Sequence, residues 1–399
     1  MVWTRRPKPP RDFQQTPSPV QGLVLLFWTD PVGNTGPPGR PVAERDGPVT
    51  GLSGPPPAYS EILYARSDWI GRITLNRPQA YNAYTTDTLV ELADAFRRAA
   101  FDDQVAVIIF TGAGERAFCT GGDVKEYSSR YTRAPRDYWK YMGLFSAYIE
   151  SILATGKPVI ARLNGITVGG GNESHLACDL SIIAEHAYVG QVGTGVGSVA
   201  AGGATQWLPI TVGDRRARYM LMTNRRIPAY QALEWGLVNE VVPSVKQRGE
   251  FVGRATPEEI AHALKGENGY SIDLTKLDEA VEALAGELVD KFPEAMRYTK
   301  AQVNFWKNLA WHQTIDHARD WLAIHFASWE PTEGMGAFVE KRSPRYRMFR
   351  ERAAAGLPSE FPWGSYSQRC SNCGAEFLPV EFAFCGQCGE ALDGREVNP

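Results

Sequence analysis

No apolar run in these 399 residues approaches the roughly 18 needed to cross a bilayer. The stretch GLVLLFW, Gly22 to Trp28, is a candidate for a secretory core. It is short, and no small-residue cleavage site follows it. A cytoplasmic protein is therefore expected, and its six cysteines read as thiols or metal ligands rather than disulfides. An extended basic block is also missing: 42 Lys and Arg stand against 45 Asp and Glu, for a net charge of -3. That balance argues against nucleic acid as the main partner, although a small anionic ligand needs only a local cluster of positive charge. Nucleotide fingerprints are lacking too. A dinucleotide site wants G-x-G-x-x-G in a first strand-to-helix turn, whereas GGGNES (Gly169 to Ser174) has other spacing and lies in mid-chain. TGAGERAFCTGGD (Thr111 to Asp123) has no Gly-Lys-Ser/Thr to make a P-loop.

What is present falls into blocks. Thirteen of 27 prolines lie in the first 57 residues, so 1–57 reads as a disordered Pro/Gly-rich extension. Order is expected to begin near Tyr59. SEILYARSDWIGRITLNRP reads as a hairpin, TTDTLVELADAFRRAA as a helix capped by Thr85 or Thr86, and VAVIIFTG, PVIARLNG and LSIIAE as buried strands. Alternation of strand and helix argues for an α/β core with crossover connections. Residues 243–272 are long for a plain connection and suggest a functional or disordered loop. From 273 to about 354 the chain turns helical, with LDEAVEALAGELVDKF followed by three further helical patterns. A linker at 355–368 leads to two Cys-x-x-Cys pairs, Cys370/Cys373 and Cys385/Cys388, separated by eleven residues. Four thiolates at this spacing suit a structural zinc ribbon over 369–392, with glycine after each pair letting backbone amides turn to the sulfurs. Such a closed site leaves no position for catalysis, and the ribbon reads as a structural or protein-docking module.

Two glycine turns carry the chemistry. AFCTGGDVKEY follows the strand VAVIIFTG, and VGGGNES follows PVIARLNG. Side by side, the two turns could each offer one N–H to a single developing oxyanion, with Gly122 and Gly170 as donors. Either cluster alone would be read as a tight turn.

ITLNRPQAYNAYT, FTGAGERAFCTGGDVKEY, KPVIARLNGITVGGGNESHLACDLSI and RIPAYQALEWGLVNEVVP, in that order, resemble the crotonase (enoyl-CoA hydratase/isomerase) superfamily from about Tyr59 to Arg350. The resemblance implies an α/β, ClpP/crotonase-like ββα spiral over 58–272 and a helical C-terminal region that trimerises. It implies an acyl-CoA substrate, no catalytic cofactor beyond that CoA, and a homotrimer or dimer of trimers. Gly122 and Gly170 would polarise the thioester, backed by Gly121 and Gly169, and Glu173 would handle water. Asn76, Arg77, Ala80 and Ala83 would line the CoA groove, and Lys341 and Arg342 would reach the nucleotide in a neighbouring subunit.

One departure narrows the reading. Hydratases carry a second glutamate in G-Q-P-E, where VGQVG places Gly193. The text GQVGTGVGS, with Glu173 kept, resembles the 6-oxocyclohex-1-ene-1-carbonyl-CoA hydrolases more than the dihydroxynaphthoyl-CoA synthases. It implies hydration and hydrolytic ring opening, with Ser198, Asp123, Tyr127 and Tyr131 as candidates to activate a second water. The alternatives are hydration or isomerisation of another enoyl-CoA, naphthoyl-type ring formation, and a non-catalytic CoA-binding scaffold recruiting a partner through its ribbon. His175 reads as a satisfied core histidine and Tyr131 as packing.

Overall fold

The computed structural model describes residues 57–357, 366–376, 378–379 and 382–392. The predicted extension up to residue 56 and residues 358–365 of the predicted linker lie outside them.

Strands β1 (Ile62–Ser67) and β2 (Ile70–Leu75) pair antiparallel. The residues between them, Asp68 and Trp69, both take positive φ, as a two-residue hairpin turn with primed geometry requires. Helix α1 (Thr86–Phe101) starts at Thr85, whose hydroxyl accepts from the Thr88 amide while Thr88 returns the bond. It buries Leu89, Leu92 and Phe96 on one face.

The chain then winds through three turns of one plan. A long strand joins a large sheet, a short strand joins a small sheet, and helical sequence follows. The first turn is β3 (Val107–Gly112), β4 (Ala117–Cys119), α2 (Val124–Glu126) and α3 (Pro135–Leu153). Next come β5 (Val159–Leu163), β6 (Ile166–Val168) and α4 (Gly170–Ala177). β7 (Leu180–Ala184), β8 (Tyr188–Gly190), α5 (Ala204–Val212) and α6 (Asp214–Thr223) make the third. After β9 (Arg226–Pro228), α7 (Ala229–Glu234) and β10 (Glu240–Val242), the large sheet runs β1-β2-β3-β5-β7-β10 and the small one β4-β6-β8-β9. This is the expected ββα spiral. The central strands are mostly apolar because both faces of the sheet are covered. Phe96, Phe110 and Tyr148 pack on one side of the large sheet.

Residues 243–272 are not the structureless loop that their length suggests. They fold as β11 (Val245–Gln247), β12 (Glu250–Phe251), α8 (Pro257–Lys265) and β13 (Tyr270–Ile272), around Val245, Ala255 and Ala263. The buried Glu185 carboxylate anchors this unit, accepting from the amides of Ser244 (2.9 Å), Val245 (3.1 Å) and Ala255 (3.1 Å).

Helix α9 (Thr275–Val289) covers the other face of the large sheet, setting Leu277, Val281 and Ala285 against Ile109, Ile160 and Ile182. Where three further helical patterns were expected, five helices form among the described residues. They are α10 (Pro293–Val303), α11 (Phe305–His312), α12 (Ile315–Phe326), α13 (Trp329–Val339) and α14 (Met348–Ala354). The breaks at Asn304 and Gln313–Thr314 contain neither Gly nor Pro, so no local signal marks them. Helix α12 lies along α3, with the rings of Phe326 and Tyr138 stacked at 3.6 Å. Among the described residues, no helix is long and apolar enough to cross a membrane.

Candidate active site

Strands β4 and β6 are neighbours in the small sheet, paired in parallel. The glycine turns that end them therefore emerge together. Gly121 and Gly169 take φ of +90° and +57°, which side chains rarely allow. A Cβ on Gly121 would lie 2.9 Å from the Gly170 nitrogen, so only bare backbone permits the approach. Tyr84 clamps the first turn: its amide donates to the Gly121 carbonyl and its carbonyl accepts from the Asp123 amide, both at 2.9 Å. Gly170 opens α4, where first-turn amides have no intrahelical acceptor. Among the described residues, neither the Gly122 nor the Gly170 amide donates to a protein group. Both glycines line a cleft of about 840 Å³.

Glu173 sits one turn into α4, is 6% exposed and lines the same cleft. Burial pushes its carboxyl up to about 7, opposed by backbone N–H donors at Ala204 and Gly202. Near neutrality this group divides between acid and base forms, as proton transfer requires. His175 stays in the core. Its ring nitrogens meet Asn172 Oδ1 at 3.2 Å and Ser181 Oγ at 3.1 Å, and burial pulls it down to about 4, so it is neutral.

The cleft also takes in Ala80, Ala83, Gly121, Gly169, Gly193, Asp123, Tyr127 and Ser198. Ser198 neighbours the hydroxyl of the buried Tyr138. Asp123 is occupied elsewhere. Its Oδ1 caps α2 by accepting from the Lys125 and Glu126 amides, and its Oδ2 pairs with Arg77 at 3.1 Å. That geometry gives Asp123 a holding role for the glycine turn. Tyr131 is buried and hydrogen-bonded to Thr86, a packing position.

Asn76 and Arg77 do not line the cleft. The Arg77 guanidinium is a strut, bonded to Glu61, Asp123 and the Ala83 carbonyl. All of these partners lie within the chain. Lys341 and Arg342 do not line the cleft of their own chain either. Arg342 and Arg345 grip Glu333, and the Arg342 guanidinium holds that carboxyl down to about 2. Lys341 is exposed and turns the chain with φ of +55°.

Sequence reasoning missed Tyr84 and Tyr141 as cleft residues, together with Phe145, Arg225 and Arg226. Tyr84 stands in the quoted YNAYT, but no spacing rule distinguishes it from a core tyrosine. Arg225 and Arg226 form no ion pair among the described residues and lie over the rings of Tyr219 and Tyr188.

In the tail, the sulfurs of Cys370, Cys373, Cys385 and Cys388 all lie within 4.8 Å of one another. The Cys370–Cys388 and Cys373–Cys385 pairs are each 3.6 Å apart. Zinc–sulfur bonds of about 2.3 Å set tetrahedral edges of roughly 3.8 Å, so the donor set fits zinc. Gly374 and Gly389 take positive φ after each pair, and the Gln387 amide points at Cys385 Sγ from 3.4 Å.

Residues 65–263 match the family model described as enoyl-CoA hydratase/isomerase. The chain is 37% identical over 346 residues to a 6-oxocyclohex-1-ene-1-carbonyl-CoA hydrolase of Geobacter metallireducens, covering 81% of this chain and 86% of that one. It is 35% identical over 311 residues to the protein of the same name in Thauera aromatica, covering 72% and 82%. Among solved structures, an enoyl-CoA hydratase from Mycobacterium avium subsp. paratuberculosis superposes with a TM-score of 0.59 at 25% identity, over 72% of this chain and 99% of that one. By sequence and by fold, the chain belongs to the enoyl-CoA hydratase/isomerase (crotonase) family of acyl-CoA enzymes.

Proposed function

We propose that the protein adds water to a cyclic enone carried as a CoA thioester and then opens the ring by hydrolysis, acting on a 6-oxocyclohex-1-ene-1-carbonyl-CoA-type substrate. One observation carries this reading: two glycine amides that donate to no protein group among the described residues share a cleft with Glu173, whose carboxyl is raised to about 7. The family resemblance adds that Gly193 stands where a hydratase has its second acid. The names of the two relatives support the substrate class.

The Gly122 and Gly170 amides stabilise negative charge on the thioester oxygen. Glu173 takes a proton from water as the oxygen adds to the ring alkene. A second water attacks the ring ketone, which stands β to the thioester carbonyl. Cleavage of the bond between the ketone carbon and the α-carbon then leaves a carboxylic acid and a thioester enolate held by the same two amides. One electrostatic device thus serves both steps.

Ala80 and Ala83 line the pantetheine entrance, and Lys341 and Arg342 serve the nucleotide end across a trimer contact. Exposed Phe292, Val303, Phe305, Trp306 and Ile324 on the C-terminal helices supply the apolar surface that such a homotrimer, or a dimer of trimers, buries. The four tail cysteines hold a structural zinc and form a docking module for a protein partner.

Purified protein incubated with 6-oxocyclohex-1-ene-1-carbonyl-CoA should give a thioester heavier by two waters, read by mass spectrometry. Hydrated crotonyl-CoA with the cyclic substrate untouched would replace this reading with simple hydration. Turnover of neither, with CoA esters still bound, would favour a scaffold.

A further inference from the structure

Three tyrosines border the glycine turns. Tyr127 opens a π-helical turn, Tyr127–Tyr131, just beyond Gly122 and Asp123, a backbone form that recurs at functional sites. Its hydroxyl lies so close to Gly122 that a Cβ there would overlap it, and the Tyr84 hydroxyl stands in the same relation to Gly170. Tyr127 Oη is 2.7 Å from Tyr141 Oη, where either oxygen could donate, and the Tyr84 hydroxyl is a further neighbour. All three residues line the cleft. A proton given by Tyr141 across the 2.7 Å contact leaves the Tyr127 proton free. That hydroxyl shares the cleft with both glycine amides, where a thioester oxygen and its α-carbon, two bonds away, would be bound.

We infer that Tyr127 is the catalytic acid that protonates the α-carbon of the thioester enolate, and that Tyr84 and Tyr141 are positioning residues that donate to its oxygen. The inference rests on the thioester reading above but not on ring opening. In the step, the Tyr127 O–H bond breaks and a C–H bond forms at the α-carbon. The enolate electron pair enters that bond as the thioester carbonyl re-forms. The phenolate, held by two hydroxyl donors, recovers a proton from Glu173, which had taken one from water. Burial raises all three phenols, so each keeps its proton at neutral pH.

The test uses full-length protein and cyclohexanecarbonyl-CoA, a saturated thioester with one α-hydrogen and no ring ketone. Deuterium entry at the α-carbon in heavy water is followed by mass spectrometry, and thioester binding by calorimetry. Tyr127→Phe should slow exchange roughly 100-fold or more, with Kd held within about threefold. Tyr84→Phe and Tyr141→Phe should each slow it about 10-fold, and Tyr84→Phe should add little in the Tyr127→Phe background, because it acts through that oxygen. Losses that multiply in the double variant would mark general disturbance of packing and overturn the assignment. So would unchanged exchange in Tyr127→Phe, or no exchange in the wild-type protein with the thioester bound. Ring opening of the cyclic enone is scored separately, so its failure leaves this result standing.

Discussion

Burial of Glu173 makes folding sensitive to its charge. The carboxyl has an ordinary value of 4.5 and is raised to about 7 in the folded chain. The folded state therefore holds the proton more tightly than the unfolded one. Its stabilising contribution is complete below about pH 4.5 and is lost as pH rises through about 7. Urea unfolding at pH 5 and pH 8 should show wild-type protein losing up to about 3 kcal/mol more than Glu173→Gln across that window. The same variant should lose at least roughly 100-fold in kcat while keeping CoA-ester affinity, measured by turnover and calorimetry. Gly170→Ala tests the neighbouring amide: its methyl overlaps the Tyr84 hydroxyl, and kcat/KM should fall about 100- to 1,000-fold with far-UV circular dichroism unchanged. Glu173 and the glycines could be read from sequence because each stands at a fixed step past an apolar strand. Arg77 could not, because its partner Asp123 is 46 positions away and nothing local says that the charge is spent internally.

At the scale of elements, legibility followed how far each element depends on distant sequence. The hairpin, α1 and the three long strands announce themselves by turn residues, a cap and apolar runs, and they form close to where those signals stand. The unit from 243 to 272 gave a weaker signal, since its strands are two or three residues long and its fold leans on Glu185 from β7's far end. That dependence is measurable. Glu185→Ala should leave three buried amides without their acceptor and destabilise the protein by about 3–5 kcal/mol, seen as a lower urea midpoint. Hydrogen exchange should speed up first in α8 and β11–β13, with the cleft's glycine turns last to respond.

The whole molecule joins a spiral core, a helical C-terminal region and a cysteine cluster. Zinc analysis of the purified chain should find one ion per chain, reduced to near zero by Cys373→Ser. A chain lacking the last 30 residues should retain turnover within about twofold, because four thiolates leave a bound ion no open position for substrate. The lasting consequence lies in the small sheet. The turns that carry Gly122 and Gly170 leave neighbouring strands of a parallel ladder, whose spacing is about 4.8 Å. A ladder of this kind resists being stretched or squeezed. Side chains of α3 and the 193–200 segment can therefore be exchanged to admit differently shaped acyl groups, while the strands that carry the two donor turns stay joined through their backbone.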